Sequence, residues 1–341
     1  MTSRVFSVYR NNFNLLKSER LLRCSPISTS DRDTLTKFSF ETLIDEALAD
    51  VTTVADLKAA LNKRYLSFFN DFEDGSWRFK KFQSYLWDNV AQTALSQRER
   101  MALQDQSHSA LLAAAKNLRL SDNDIAGQGS EIAEIFLYGV MRHHFNALPV
   151  VPKIFYKQNS QDNAKGADSV HIVIDGTDFQ LWFGEAKFYK SIADARLNAV
   201  VSSVFEMLST SKLKKENTII TNIADLDLLS IDPALVARIK SVLDARSSID
   251  ELRSRIHVPI MLLHECSITS GKTEMSKAYK DELIEHHRER AEAYFSKQIG
   301  KSSGVYKYKE IKFHLILFPV PDKQIIVDAF TKNVSFYKEQ A

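Results

Sequence analysis

Residues Asp168 to Phe188 read DSVHIVIDGTDFQLWFGEAKF. Two runs rich in β-branched and aromatic residues, Val170–Ile174 and Phe179–Phe188, flank the tight-turn signal Asp175-Gly176-Thr177-Asp178, and together they predict an antiparallel hairpin. Side chains alternate along a strand, so Leu181, Phe183, Glu185 and Lys187 share one face while Trp182, Gly184 and Ala186 share the other. Both faces are apolar before the charges begin. That is the pattern of a central strand covered on both sides, and it sets a carboxylate beside an ammonium at the strand's end. Asp168 shares a face with Val170, Ile172 and Ile174, and Asp168 and Glu185 are roughly equidistant from a turn centred near residues 176–177. Pairing across that turn can bring the two carboxylates together.

Outward from the hairpin, Ser130 is a plausible N-cap for a helix running to about Phe145, with Ile132, Ile135, Phe136 and Val140 on its buried side. Val150–Tyr156 reads as a strand. After the hairpin come a long helical stretch at Ile192–Leu213, a short apolar run at Thr218–Thr221 and a helix at Pro233–Leu243. A strand at Val258–Leu263, a charged helix at Ser276–Ile299, a strand at Ile311–Val320 and a helix at Asp322–Tyr337 complete the chain. A hairpin is antiparallel and the later strands arrive through helices, so the expectation is an α/β core with a mixed sheet flanked by helices. From Thr34 to about Leu120 apolar residues recur at helical spacing, as in Leu43, Ala47, Val54, Leu57, Leu61 and Tyr65 and again in Phe79, Phe82, Leu86, Val90 and Leu95. This predicts an N-terminal helical region over residues 1–120 and a second domain over 121–341. The break falls at Ser121-Asp122-Asn123-Asp124 with Gly127 and Gly129.

The chain has 341 residues, with 45 Lys and Arg against 43 Asp and Glu, a formal net charge of +2. It is therefore no polycation, and binding to nucleic acid would need a local patch and would be strongly salt-sensitive. Ten glycines and seven prolines exclude collagen-like and linker-rich chains. Two distant cysteines, Cys24 and Cys266, build neither a disulfide framework nor a cysteine-rich zinc site. No secretory signal or spanning apolar run stands out, which suits a cytoplasmic protein.

Two carboxylates held close repel each other unless a positive charge sits between them, and Mg²⁺ or Mn²⁺ bound by oxygen is a common solution. Lys187, on the same face, could orient an attacking water. Such a set suits phosphodiester hydrolysis. Glu131 and Glu134, spaced i,i+3 on the preceding helix, are each candidates for a third carboxylate.

At these residues the chain resembles the PD-(D/E)XK (restriction-endonuclease-like) nuclease superfamily, whose core is a helix, three strands, a helix and a further strand. The hallmark acid is matched by Asp168 in Lys165-Gly166-Ala167-Asp168, and the Glu-x-Lys that follows it by Glu185-Ala186-Lys187. The helix glutamate is matched best by Glu134 and next by Glu131. Within that superfamily the chain is similar to the HamA family, the nuclease subunits of Hachiman anti-phage defence systems. The resemblance is fullest over about Gly129–Phe188, looser over Val258–His264 and Ile311–Phe330, and says little about residues 1–110. It implies a Mg²⁺-dependent DNA nuclease with Asp168, Glu185 and Glu134 on the metal and Lys187 orienting water. It also implies a helicase subunit as partner. A nucleic-acid-binding scaffold that acts through its partner, and an RNA-cleaving enzyme, are the alternatives.

Other signals carry less. Gly271-Lys272-Thr273 and Gly300-Lys301-Ser302 lack the upstream glycine of a phosphate-binding loop, the positions holding Cys266 and Phe295. His143-His144 and His286-His287 are adjacent on helices, where neighbours diverge, and are expected on solvated faces. His171 falls on the strand face opposite Asp168 and reads as packed, and His264-Glu265 at a strand end favours a structural role. The loop Lys157–Gly166 is polar and basic enough to touch phosphate and sugar.

Overall fold

Seven strands form one sheet in the computed structural model, which describes residues 38–119, 130–156, 166–222, 232–244 and 246–341. They are β1 (Glu41–Ala47), β2 (Lys63–Phe69), β3 (Leu148–Val151), β4 (Ser169–Asp175), β5 (Asp178–Tyr189), β6 (Ile256–Glu265) and β7 (Lys312–Val320). Their spatial order is β1-β2-β7-β6-β5-β4-β3. β5, β6, β7 and β2 run parallel, while β1 at one end and β4 and β3 at the other pair antiparallel, so the sheet is mixed.

The principal helices are α1 (Phe79–Ala94), α2 (Gln97–Ala102), α3 (Ser107–Asn117), α4 (Ser130–His143), α5 (Asp194–Met207), α6 (Thr210–Asn222), α7 (Pro233–Val242), α8 (Lys277–Ser302) and α9 (Lys323–Gln340). On one face of the sheet Leu181 and Phe183 of β5 and Val258, Ile260 and Leu262 of β6 pack with Leu197, Val200 and Val204 of α5 and with Ala291, Tyr294 and Phe295 of α8. On the other, Trp182, Ala186, Phe188, Met261 and Leu263 meet Ile135 and Phe136 of α4, Phe82 and Leu86 of α1 and Phe330 of α9. Each large side chain removed from water in these layers contributes roughly 1.5–3 kcal/mol, and the double covering explains why β5 and β6 are apolar on both faces.

Helicity between residues 34 and 120 holds for α1, α2 and α3, but Glu41–Ala47 and Lys63–Phe69 are strands. β2 lies parallel to β7 with Leu66 opposite Ile316. Tyr65, Leu66, Ser67, Phe68 and Phe69 are all buried, so the run is buried on both faces rather than alternating and its spacing does not separate strand from helix. The chain divides into Met1–Lys37, outside the described residues, and Phe38–Ala341, which holds the whole sheet together with α1, α2 and α3. The break expected at Ser121–Gly129 also lies outside the described residues.

The strand expected over Val150–Tyr156 ends at Val151, because Pro152 offers no N–H to a neighbouring strand, and Lys153–Tyr156 forms a helical turn. The stretch Ile192–Leu213 is divided between α5 and α6, and α6 absorbs Thr218–Thr221 by burying Leu213 and Ile220. α8 begins at Ser276, whose hydroxyl accepts from the Tyr279 N–H at 3.2 Å. Its buried stripe runs Tyr279, Leu283, His287, Ala291, Tyr294, Phe295, Gln298 and Ser302.

That stripe corrects the solvated reading of His286-His287. His287 is fully buried, with Nδ1 2.7 Å from Ser67 Oγ and Nε2 3.1 Å from Nε2 of the buried His264. A similar pair joins His257 Nδ1 to His314 Nε2 at 3.0 Å, stacked on Trp182. His143 and His144 are half-buried, and His144 stands 3.3 Å from Asp45 Oδ2. Among the described residues no helix is long and apolar enough to cross a membrane.

Candidate active site

β4 and β5 pair with Ser169 opposite Gly184, Ile172 opposite Leu181 and Asp175 opposite Asp178. The two-residue link places Gly176 at its first central position with φ +59°, a conformation that glycine adopts without strain. One step past Ser169, the Asp168 N–H donates to the Gly184 carbonyl at 2.8 Å, which sets Asp168 beside Glu185. The strands approach closely here: a Cβ on Gly184 would stand 2.2 Å from Ser169 Oγ and 2.8 Å from Leu137 Cδ2 of α4.

Three of the expected residues converge. Lys187 Nζ lies 3.0 Å from Asp168 Oδ2 and 2.6 Å from Glu185 Oε1, and it also donates to the Ala186 carbonyl at 3.1 Å. The Ala186 N–H donates to Asp168 Oδ2 at 3.1 Å, so one carboxylate oxygen takes a backbone and an ammonium hydrogen bond together. Exposure is graded across the cluster, with the Glu185 side chain 2% exposed, Asp168 17% and Lys187 29%. Burial raises the Glu185 pKa and the neighbouring Asp168 charge raises it further, outweighing Lys187 and the Ser203 hydroxyl of α5. For Lys187 burial favours losing the proton, but the two carboxylates prevail and hold the ammonium charged above the ordinary lysine range.

The approach to Asp168 is braced by residues that sequence reasoning did not single out. Glu216 of α6 accepts from the Ala167 N–H at 3.1 Å through Oε1, and its Oε2 lies 2.6 Å from Lys153 Nζ in a pair that is 2% and 3% exposed. Gly166 makes room for that carboxylate, since a Cβ there would stand 1.9 Å from Glu216 Oε1. Glu216 sits in the polar run Lys212-Leu213-Lys214-Lys215-Glu216-Asn217, where no local pattern marks it.

Of the helix glutamates, Glu134 is buried and Glu131 accepts from the Arg119 N–H at 2.8 Å. α4 packs through Leu137 on the Gly184 side of the hairpin, the face opposite Glu185 and Lys187. Among the described residues no three His, Cys, Asp or Glu side chains stand close enough to hold a metal ion together. The pair itself suits a hard divalent cation. Two carboxylates face a single ammonium, and burial leaves Glu185 short of positive charge. Mg²⁺ is commonly held by one or two carboxylates, with water and substrate oxygens filling its shell.

The weaker signals resolve simply. Lys272 pairs with Glu282 at 3.0 Å and Lys301 donates to Ser202 Oγ at 2.6 Å. His171 is buried against Tyr138. Residues 157–165 of the basic loop lie outside the described residues.

The fold and the cluster define an α/β protein with a mixed sheet and a carboxylate–carboxylate–lysine site at the open end of its central hairpin. The chain belongs to the HamA family, matching it over residues 44–334, and is thereby a component of Hachiman anti-phage defence. No curated protein matches the chain.

Proposed function

We propose that this HamA protein is a metal-dependent nuclease of the PD-(D/E)XK type that hydrolyses DNA phosphodiester bonds and works with a helicase subunit. The observation that carries the reading is the meeting of Asp168, Glu185 and Lys187 within 3.0 Å of one ammonium. Asp168 and Glu185 would hold Mg²⁺ or Mn²⁺. When bound, the ion supplies Lewis-acid polarisation of the phosphodiester and a more acidic water. Lys187, the most exposed of the three, donates a hydrogen bond to the attacking water and balances the charge that develops on the phosphoryl oxygens. The Ala186 N–H fixes the orientation of Asp168. The helicase partner rests on the family, and it answers a physical need. A protein of net charge +2 holds DNA weakly at physiological salt by bulk charge alone, so delivery and restraint fall to a second protein.

The test is incubation of the purified protein, alone and with its helicase and ATP, with plasmid DNA and with RNA, in Mg²⁺ and in EDTA. Cleavage in Mg²⁺ only is expected. Glu185→Ala should lose metal binding and cleavage together, whereas Lys187→Met should keep the metal and lose roughly 10²–10⁴ in rate. Undiminished cleavage by folded Glu185→Ala protein overturns the assignment, and cleavage of RNA alone moves the substrate.

A further inference from the structure

We propose that the pocket at the C-terminal ends of β5 and β6 binds phosphate, gripping a second phosphate of the strand cut at Asp168, Glu185 and Lys187; this rests on the nuclease reading above. The cavity, of about 450 Å³, is lined by Lys190, Ser191, Ser267, Ser270, His286 and Arg290 among others. Its charge leans positive, with Lys190 and Arg290 against Glu265. Lys190 is exposed and has no hydrogen bond or ion pair among the described residues. Arg290 reaches Asp194 at 3.3 Å through Nη1, but its buried Nε has no acceptor. Beside the pocket the buried Lys323 is repelled by Lys190 and Arg196 and attracted by Glu265, whose Oε2 accepts from the Lys323 N–H at 3.0 Å, and its Nζ donates to the Phe188 carbonyl at 2.9 Å. Like charges gathered in this way are stabilised by an anion.

A cation would need the opposite chemistry. Although His264, Glu265, Cys266 and His286 also border the cavity, no three such groups among the described residues come close enough to ligate a metal. The hydroxyls of Ser191, Ser267 and Ser270 add donors suited to phosphate oxygens. Position agrees with chemistry. The carboxyl ends of parallel strands are where open α/β sheets bind ligands. Arg290 and His286 belong to α8, the helix that covers the Glu185 face through Tyr294. Lys190 follows Lys187 by three residues, ~10 Å along an extended chain, or about three phosphates of one strand measured along a B-form axis.

Binding can be read apart from cleavage. The full-length protein in EDTA is titrated against a short fluorescein-labelled single-stranded DNA, with and without a 5′-phosphate, over a series of salt concentrations. Lys190→Gln, at an exposed side chain with no partner among the described residues, should weaken binding roughly three- to tenfold at low salt and make the salt dependence shallower by about 0.7 in logarithmic slope. Arg290→Gln should do the same. A larger loss with 5′-phosphorylated DNA assigns the pocket to a strand end, and an equal loss assigns it to an internal phosphodiester; both uphold it. Wild-type affinity and slope in Lys190→Gln overturn it. If that variant binds poorly while Glu185→Ala cleaves normally, the nuclease reading falls and the phosphate site stands. Wild-type binding by Lys190→Gln with cleavage that depends on Glu185 gives the converse.

Discussion

Glu216 and Lys153 are an ion pair shut away from water, with the Ala167 N–H as a third member. Removing one partner of such a pair strands the other charge in the interior. Glu216→Ala should therefore lower stability by about 3–5 kcal/mol, whereas Lys153→Met with Glu216→Leu should recover most of that loss because two apolar side chains replace both charges. Urea unfolding of the single and double variants checks both statements, and a single-variant cost under 1 kcal/mol would show that water reaches the pair. Legibility at this scale followed the backbone period. Asp168, Glu185 and Lys187 could be placed because strand alternation fixes their face and the turn fixes their distance. Glu216 could not, since its partners are 49 and 63 residues away along the chain. His287 was within reach: Tyr279, Leu283, His287 and Ala291 recur every fourth position, and that regularity outweighed the adjacent-histidine pattern.

Between β4 and β5 there is little slack. Gly184→Ala should cost about 1–3 kcal/mol as the new methyl meets Ser169 Oγ and Leu137. Adding Ser169→Gly removes the nearer obstacle and should restore part of the loss, with the non-additivity measured in a double-mutant cycle. Independent effects would mean that the strands part to admit the methyl group. The hairpin was legible because it is local and its turn is chemically marked by Asp175-Gly176. β1 and β2 were not. Leu43 and Ala47 stand one helical turn apart in an exposed edge strand, and β2 owes its conformation to β7, with Lys63 paired to Phe313 at the other end of the sequence.

For the molecule as a whole, buried histidines make stability depend on pH. Burial holds His171, His257 and His264 each at about 3, against an ordinary value of 6.5, and keeps His287 and His314 well below that value. These side chains stay neutral in the folded state, while the unfolded chain takes up protons below pH 6.5. Their contribution is thus fully present above 6.5 and is lost as the pH falls from there toward about 3, at up to ~1.4 kcal/mol per histidine per pH unit. The urea midpoint at pH 5 should lie clearly below that at pH 7. Equal midpoints would show that the imidazoles reach solvent in the folded protein.

The parallel pairing of β2 with β7 also sets a timetable for synthesis. The hairpin that carries Asp168, Glu185 and Lys187 can close once residue 189 has left the ribosome, being held by contacts across one short turn. β2 can pair early with β1, but it must wait for residues 313–317 before the strand on its other edge exists. Through most of translation Leu66, Phe68 and Phe69 therefore lie in a β1–β2 pair with one open edge, an apolar surface that chaperones can bind, while Asp168 and Glu185 have already met. In this protein the chemistry is assembled before the architecture is finished.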